Sequence, residues 1–186
     1  MSRHNLFKEN DMSRINQIQI RFSSTEDRIV LRLNTEDASE FRFWITRRYS
    51  KILAAALLEL FRSSEEVQEY SEKKIQNAVM SFQHEDALSK ADFARSFEAQ
   101  PKSLPLGNDP VLLSKLTVKQ TPDGNPMLCM YPEQGSGIDL ALQQSLLHSI
   151  SKLFADALTE ADWGINFLLP ESIAVMEEKE KPALLN

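Results

Sequence analysis

The chain is poor in the residues that staple or break a polypeptide. Cys129 is its one cysteine, so neither an intramolecular disulfide nor a multi-cysteine metal site can form. Its place in the apolar run Met127-Leu-Cys-Met130 predicts a buried, inert thiol. All 5 glycines and all 8 prolines lie from Pro101 onward. Their absence excludes glycine-dependent phosphate loops and Pro-rich linkers from the first half. No stretch approaches the length of a membrane-spanning apolar helix, and Met1-Ser-Arg-His-Asn5 lacks the apolar segment of a signal peptide. A cytoplasmic location without membrane contact is the expectation. Met12-Ser-Arg14 repeats Met1-Ser-Arg3, so residues 1–11 are expected to be a disordered, dispensable N-terminus with Met12 as a candidate natural start.

What is present is a globular composition of 186 residues, 42% hydrophobic and 26% charged, with net charge −6. That balance disfavours a generic polyanion binder while leaving room for a local basic face. Ile18, Ile20 and Phe22 alternate with polar residues, as do Ile29, Leu31 and Leu33, then Phe41, Phe43 and Ile45. Period two over three short runs means three strands with a shared buried face. Thr46 is placed to cap a helix whose stripe is Tyr49, Ile52, Leu53, Ala56, Leu57, Leu60 and Phe61.

The same order recurs, with Leu116 standing where Ile18 stood, an offset of 98. Met127–Tyr131 and then Ile138, Leu140 and Leu142 supply the further strands, and Leu146, Leu147, Ile150, Leu153, Phe154, Ala157 and Leu158 a second helical stripe. The expected fold is α+β: two βββα units, 12–62 and 111–165, with antiparallel sheets packed on helices in one body. Residues 63–100 read as a helical insertion, with a start at Ser64, a stripe of Val67, Ser71, Ile75, Ala78 and Phe82, and a shorter helix from about Ala87. Residues 101–110 form a Pro-rich loop, and 166–186 an acidic tail.

The strings Glu40-Phe-Arg-Phe-Trp-Ile-Thr-Arg-Arg48 and Gly137-Ile-Asp-Leu-Ala-Leu-Gln-Gln-Ser-Leu-Leu-His148 resemble segments of bacterial conserved hypothetical proteins. That resemblance implies no activity, cofactor or catalytic residue. Tandem units of strands followed by a helix are also similar to PUR-repeat and Whirly-type proteins, which bind single-stranded nucleic acid. Those have four strands per unit where three are read here, and they lack the insertion.

No G-x-S-x-G, P-loop, HExxH or EF-hand pattern occurs. His84 and Glu85 are sequence neighbours, which is not ligand spacing on a helix, and His148 reads as a solvated residue on the polar side of the second helix. Neither a cofactor nor a metal is expected, and an enzyme would need a constellation that the linear order hides.

The sharper signal is charge. Residues 1–62 carry 11 basic and 8 acidic side chains, 63–100 carry 4 and 8, and 101–186 carry 6 and 11. If the apolar residues of the first unit point inward, its opposite face shows Arg21, Arg28, Arg32, Arg42 and Trp44, with Arg47 and Arg48 extending the basic patch. On the second unit the corresponding face is expected to show Thr117, Lys119, Leu128, Met130, Asp139 and Ala141. Three readings of the arginine face stay open. The arginines can pair with Glu26, Glu36, Asp37 and Glu40, or with acids of the insertion. They can, with Trp44, anchor a protein partner or a second copy. They can also cradle single-stranded nucleic acid.

Overall fold

A computed structural model describes residues 15–91, 95–98 and 101–167. The chain runs β1 (Ile15–Ser23), β2 (Arg28–Thr35), β3 (Glu40–Ile45), α1 (Arg47–Arg62), α2 (Glu65–Gln68), α3 (Lys73–Lys90), β4 (Val111–Leu112), β5 (Lys115–Gln120), β6 (Pro126–Tyr131), β7 (Ile138–Ala141) and α4 (Gln144–Ala161). The fold is α+β, with two βββα units. β1, β2 and β3 pair antiparallel, as do β5, β6 and β7. β4 was not anticipated. It adds to the first sheet, parallel to β3, so Val111 and Leu112 complete the first sheet rather than opening the second.

Thr46 caps α1 by accepting from the Tyr49 amide. The insertion departs from expectation. A single turn at α2 gives way at Glu69–Glu72, and α3 then runs unbroken through Ala87 and Leu88, where a separate helix was expected to begin. Glu69 and Glu72 sit at the break, where like charges at i, i+3 oppose a continuous helix. The Gln76 amide instead bonds the Tyr70 carbonyl at 2.6 Å, closing the start of α3. The N-terminal expectations for 1–11 and Met12, and most of the tail, lie outside the described residues. Phe167 is described, 5.5 Å from the Phe154 ring.

The two units share one apolar core that includes Leu33, Phe43, Leu57, Leu128, Leu140 and Phe154. Each such side chain taken fully out of water contributes about 1.5–3 kcal/mol before entropy is counted. The units interlock: α4 packs along β1 and β2, while α1 reaches β5. Tyr49 of α1 donates to the Lys115 carbonyl at 3.2 Å. Trp163, just beyond α4, donates to Asp27 in the β1–β2 turn at 2.9 Å and meets Phe22 edge-on at 5.6 Å. One expectation for the second sheet is corrected. Its register pairs Leu116 with Met130 and Val118 with Leu128. Leu128 and Met130 therefore lie on the core side and are buried, and the outer row is Thr117, Cys129 and Asp139.

Candidate macromolecule-binding face

Cross-strand register sorts the first sheet's outer residues into rows. Gln19, Arg32 and Arg42 lie opposite one another, and the next row toward the β1–β2 turn is Arg21, Val30, Trp44 and Leu112. Arg28 lies opposite Ser23 at that same end. Arg47 and Arg48 open α1 two residues past β3, also at that end. The seven arginine-face residues thus divide along the strand direction into two groups with different surroundings.

Toward the β2–β3 turn the face is closed. Glu40 is buried, and one of its carboxylate oxygens takes Arg32 at 2.8 Å and Arg42 at 2.7 Å. Burial alone pushes its pKa up. The bonds from Arg42 and Arg32 and their charges outweigh this and hold the carboxyl below its ordinary range. Opposed in register, the two guanidiniums repel each other, and the shared carboxylate is what allows them to sit there. The insertion covers this end. Phe97 lies under the Arg32 guanidinium at 4.5 Å. Gln17 donates to the Ser96 carbonyl and accepts from the Glu98 amide, and Asn34 reaches the Glu98 carbonyl. Residues 101–110 then run beside β3, with Lys102 donating to Ala38, Glu40 to Ser103, and Arg42 to the Asn108 carbonyl at 3.2 Å.

Toward the β1–β2 turn the face is open. Arg21, Arg47, Arg48 and Lys51 are exposed and Arg28 is partly so. None of the five forms an ion pair among the described residues. Trp44 and Val30 are half-buried, and Leu112 is exposed beside them. The first turn of α1 holds no acidic residue, so Arg47 and Arg48 stand against the helix dipole uncompensated. Chemically this end offers an apolar strip flanked by fixed positive charge.

One expectation about histidine is overturned. His148 is not solvated: it is fully buried, and its Nδ1 lies 2.8 Å from Nδ1 of His84, also fully buried. Phe61 of α1 packs against both rings, at 4.9 Å from His148 and 6.2 Å from His84. Desolvation first, and the neighbouring His84 second, push the His148 pKa down to about 4. The Nδ1–Nδ1 contact is a buried hydrogen bond between the two imidazoles that joins α3 to α4. No sequence signal paired them, because they stand 64 positions apart with no ligand-like spacing. Cys129 is buried, with burial and Asp139 pushing its thiol up to about 11. Among the described residues no three His, Cys, Asp or Glu side chains converge as metal ligands, and no helix is long and apolar enough to cross a membrane. In comparisons with protein-family models, curated proteins and solved structures, nothing matches this chain.

Proposed function

We propose that this protein is a non-enzymatic protein-binding module, an adaptor, that takes an acidic partner on the open end of its first sheet. The observation that carries this is the row Arg21, Val30, Trp44 and Leu112, left open while the row beside it is closed by Glu40 and by residues 95–98 and 101–110. Trp and Arg are the residues that most often anchor protein interfaces, and an apolar strip rimmed by cations suits a partner segment mixing acidic and apolar side chains. The engagement of Arg32 and Arg42 supports the protein reading over single-stranded nucleic acid, since a phosphate-tracking groove loses two of its cations.

The test is quantitative capture of proteins from cells by the wild-type chain and by Trp44→Ala/Arg47→Ala, with binding of labelled oligothymidylate measured in parallel. A partner anchored here should bind the variant about 30-fold more weakly, the effect of losing about 2 kcal/mol at an interface centre. A capture profile identical for both chains overturns the assignment. Oligothymidylate binding that weakens steeply with salt and is lost in the variant moves the function to nucleic acid.

A further inference from the structure

α3 is apolar on two opposite sides. Met80 and His84 face inward and are buried against the body of the protein. Ile75, Ala78 and Phe82, part of the helical stripe read from the sequence, point outward, with Ile75 40% and Phe82 71% exposed. With Tyr70, itself 40% exposed, and with Lys74, Val79 and Gln83, they line an open apolar groove of about 680 Å³. A helix apolar on both sides is normally covered on both. Its first turn holds Lys73 and Lys74 and no acidic residue, and Glu85 and Asp86 precede Lys90 near the other end, so Lys74 and Glu85 each stand unfavourably toward the helix dipole.

We infer that the outer face of α3 is a self-association surface, whose occupant is α3 of a second copy in antiparallel orientation about a two-fold axis near Ala78. That arrangement answers both oddities at once. It sets Ile75 of each copy against Phe82 of the other, with the small Ala78 at the centre allowing close approach. It also offsets Lys74 by only about 3 Å along the axis from the other copy's Glu85, at 1.5 Å rise per residue. Lys74 of one copy then meets Glu85 of the other, twice by symmetry, and the two helix dipoles run opposed. Asp86 is tied to Lys90 at 2.6 Å on the surface, a solvated pair that leaves Glu85 as the main acceptor. This surface shares no residue with the open end of the first sheet, so either proposal can fail without the other.

Sedimentation velocity on the full chain, from about 5 to about 500 µM, is the direct test, because a self-association is read from its mass action. A concentration-dependent dimer is expected. Phe82→Glu should abolish it, and Lys74→Glu should weaken it about tenfold, since two symmetry-related attractions become repulsions. Lys74→Glu/Glu85→Lys should restore it, which no merely misfolded variant can do. Ala78→Cys should form a disulfide-linked dimer on mild oxidation, while Trp44→Ala should leave dimerisation untouched. A monomer at every concentration, a dimer indifferent to Phe82→Glu, or a charge swap that fails to restore it each overturns the inference.

Discussion

The two units solve the same structural problem differently at one position. Where the third strand begins, the first unit has Glu40 and the second, in the aligned place just before β7, has Gly137. Glu40 is buried because two opposed arginines need a shared anion. Gly137 is glycine because the chain passes so close that a Cβ there would lie 2.0 Å from the Met130 carbonyl oxygen and 2.7 Å from the Tyr131 Cα. Unit one therefore keeps its outer sheet face charged and holds it together electrostatically. Unit two draws its backbone tight there, and its outer face carries Lys115, Lys119 and Asp139 but no arginine. A repeat pattern of alternating apolar residues fixes the inner faces of both sheets and leaves the outer faces free to diverge.

Breaking each device should show which kind of force it supplies. Glu40→Ala leaves Arg32 and Arg42 opposed and partly buried with no shared anion. The expected loss is about 3–4 kcal/mol in denaturant unfolding, the lower part of the range for breaking a buried pair because both guanidiniums retain some solvent. Raising the salt concentration should return part of it by screening the repulsion. Gly137→Ala should cost about 3 kcal/mol through overpacking against backbone that cannot yield, with no salt dependence. Equal salt responses in the two variants would contradict the contrast.

The inner architecture was legible because periodicity reports burial directly: Ile29, Leu31 and Leu33 alternate, and Thr46 caps the helix that follows. What escaped was set by a third element arriving from elsewhere in the chain. Glu40 is one of four acids that the sequence offers to the arginines, and only register and the crossing residues 95–98 single it out. Ile75, Ala78 and Phe82 satisfy a helical stripe as well as Met80 and His84 do, and pattern alone cannot say which side meets the core. His148 looked polar because its own helix gives it polar neighbours. Its burial comes from α3 and from Phe61 of α1, each brought to it by tertiary packing.

His148 also sharpens the comparison between helices, since its aligned place in α1 is the exposed Lys51. α3 covers α4 and leaves that part of α1 to solvent. A neutral histidine buried by this cover binds its proton later than the unfolded chain does. Its contribution to stability is therefore complete above about pH 6.5 and drains as pH falls from 6.5 toward the folded value of about 4. From that shift the wild-type chain should lose about 2–3 kcal/mol across this window, more than His148→Leu loses. Lys51→His, in the uncovered position, should titrate near the ordinary histidine value by NMR. A normal titration at His148 would mean that α3 does not seal α4.

The smallest effect concerns the turns, where the first unit's lack of glycine has a direct consequence. Its β2–β3 turn places Ala38 at φ 62°, a left-handed conformation that a Cβ disfavours, whereas the second unit's turns use Gly124 at φ 82° and Gly135 at φ 100°. The strain at Ala38 is tolerated because neighbouring bonds over-determine the turn. Thr35 bonds Asp37 and the Ser39 carbonyl, and the Ala38 carbonyl accepts from Lys102. Ala38→Gly should relieve about 1 kcal/mol of backbone strain and lose part of that to the greater freedom of the unfolded chain, for a net gain of about 0.5 kcal/mol. Gly124→Ala should do the reverse and cost about 1 kcal/mol, since its surroundings are open and the strain stands alone. If Ala38→Gly is instead destabilising, the turn is held by its hydrogen bonds so firmly that the glycine-free first unit carries no conformational cost. The two units would then differ in the chemistry of their outer faces alone.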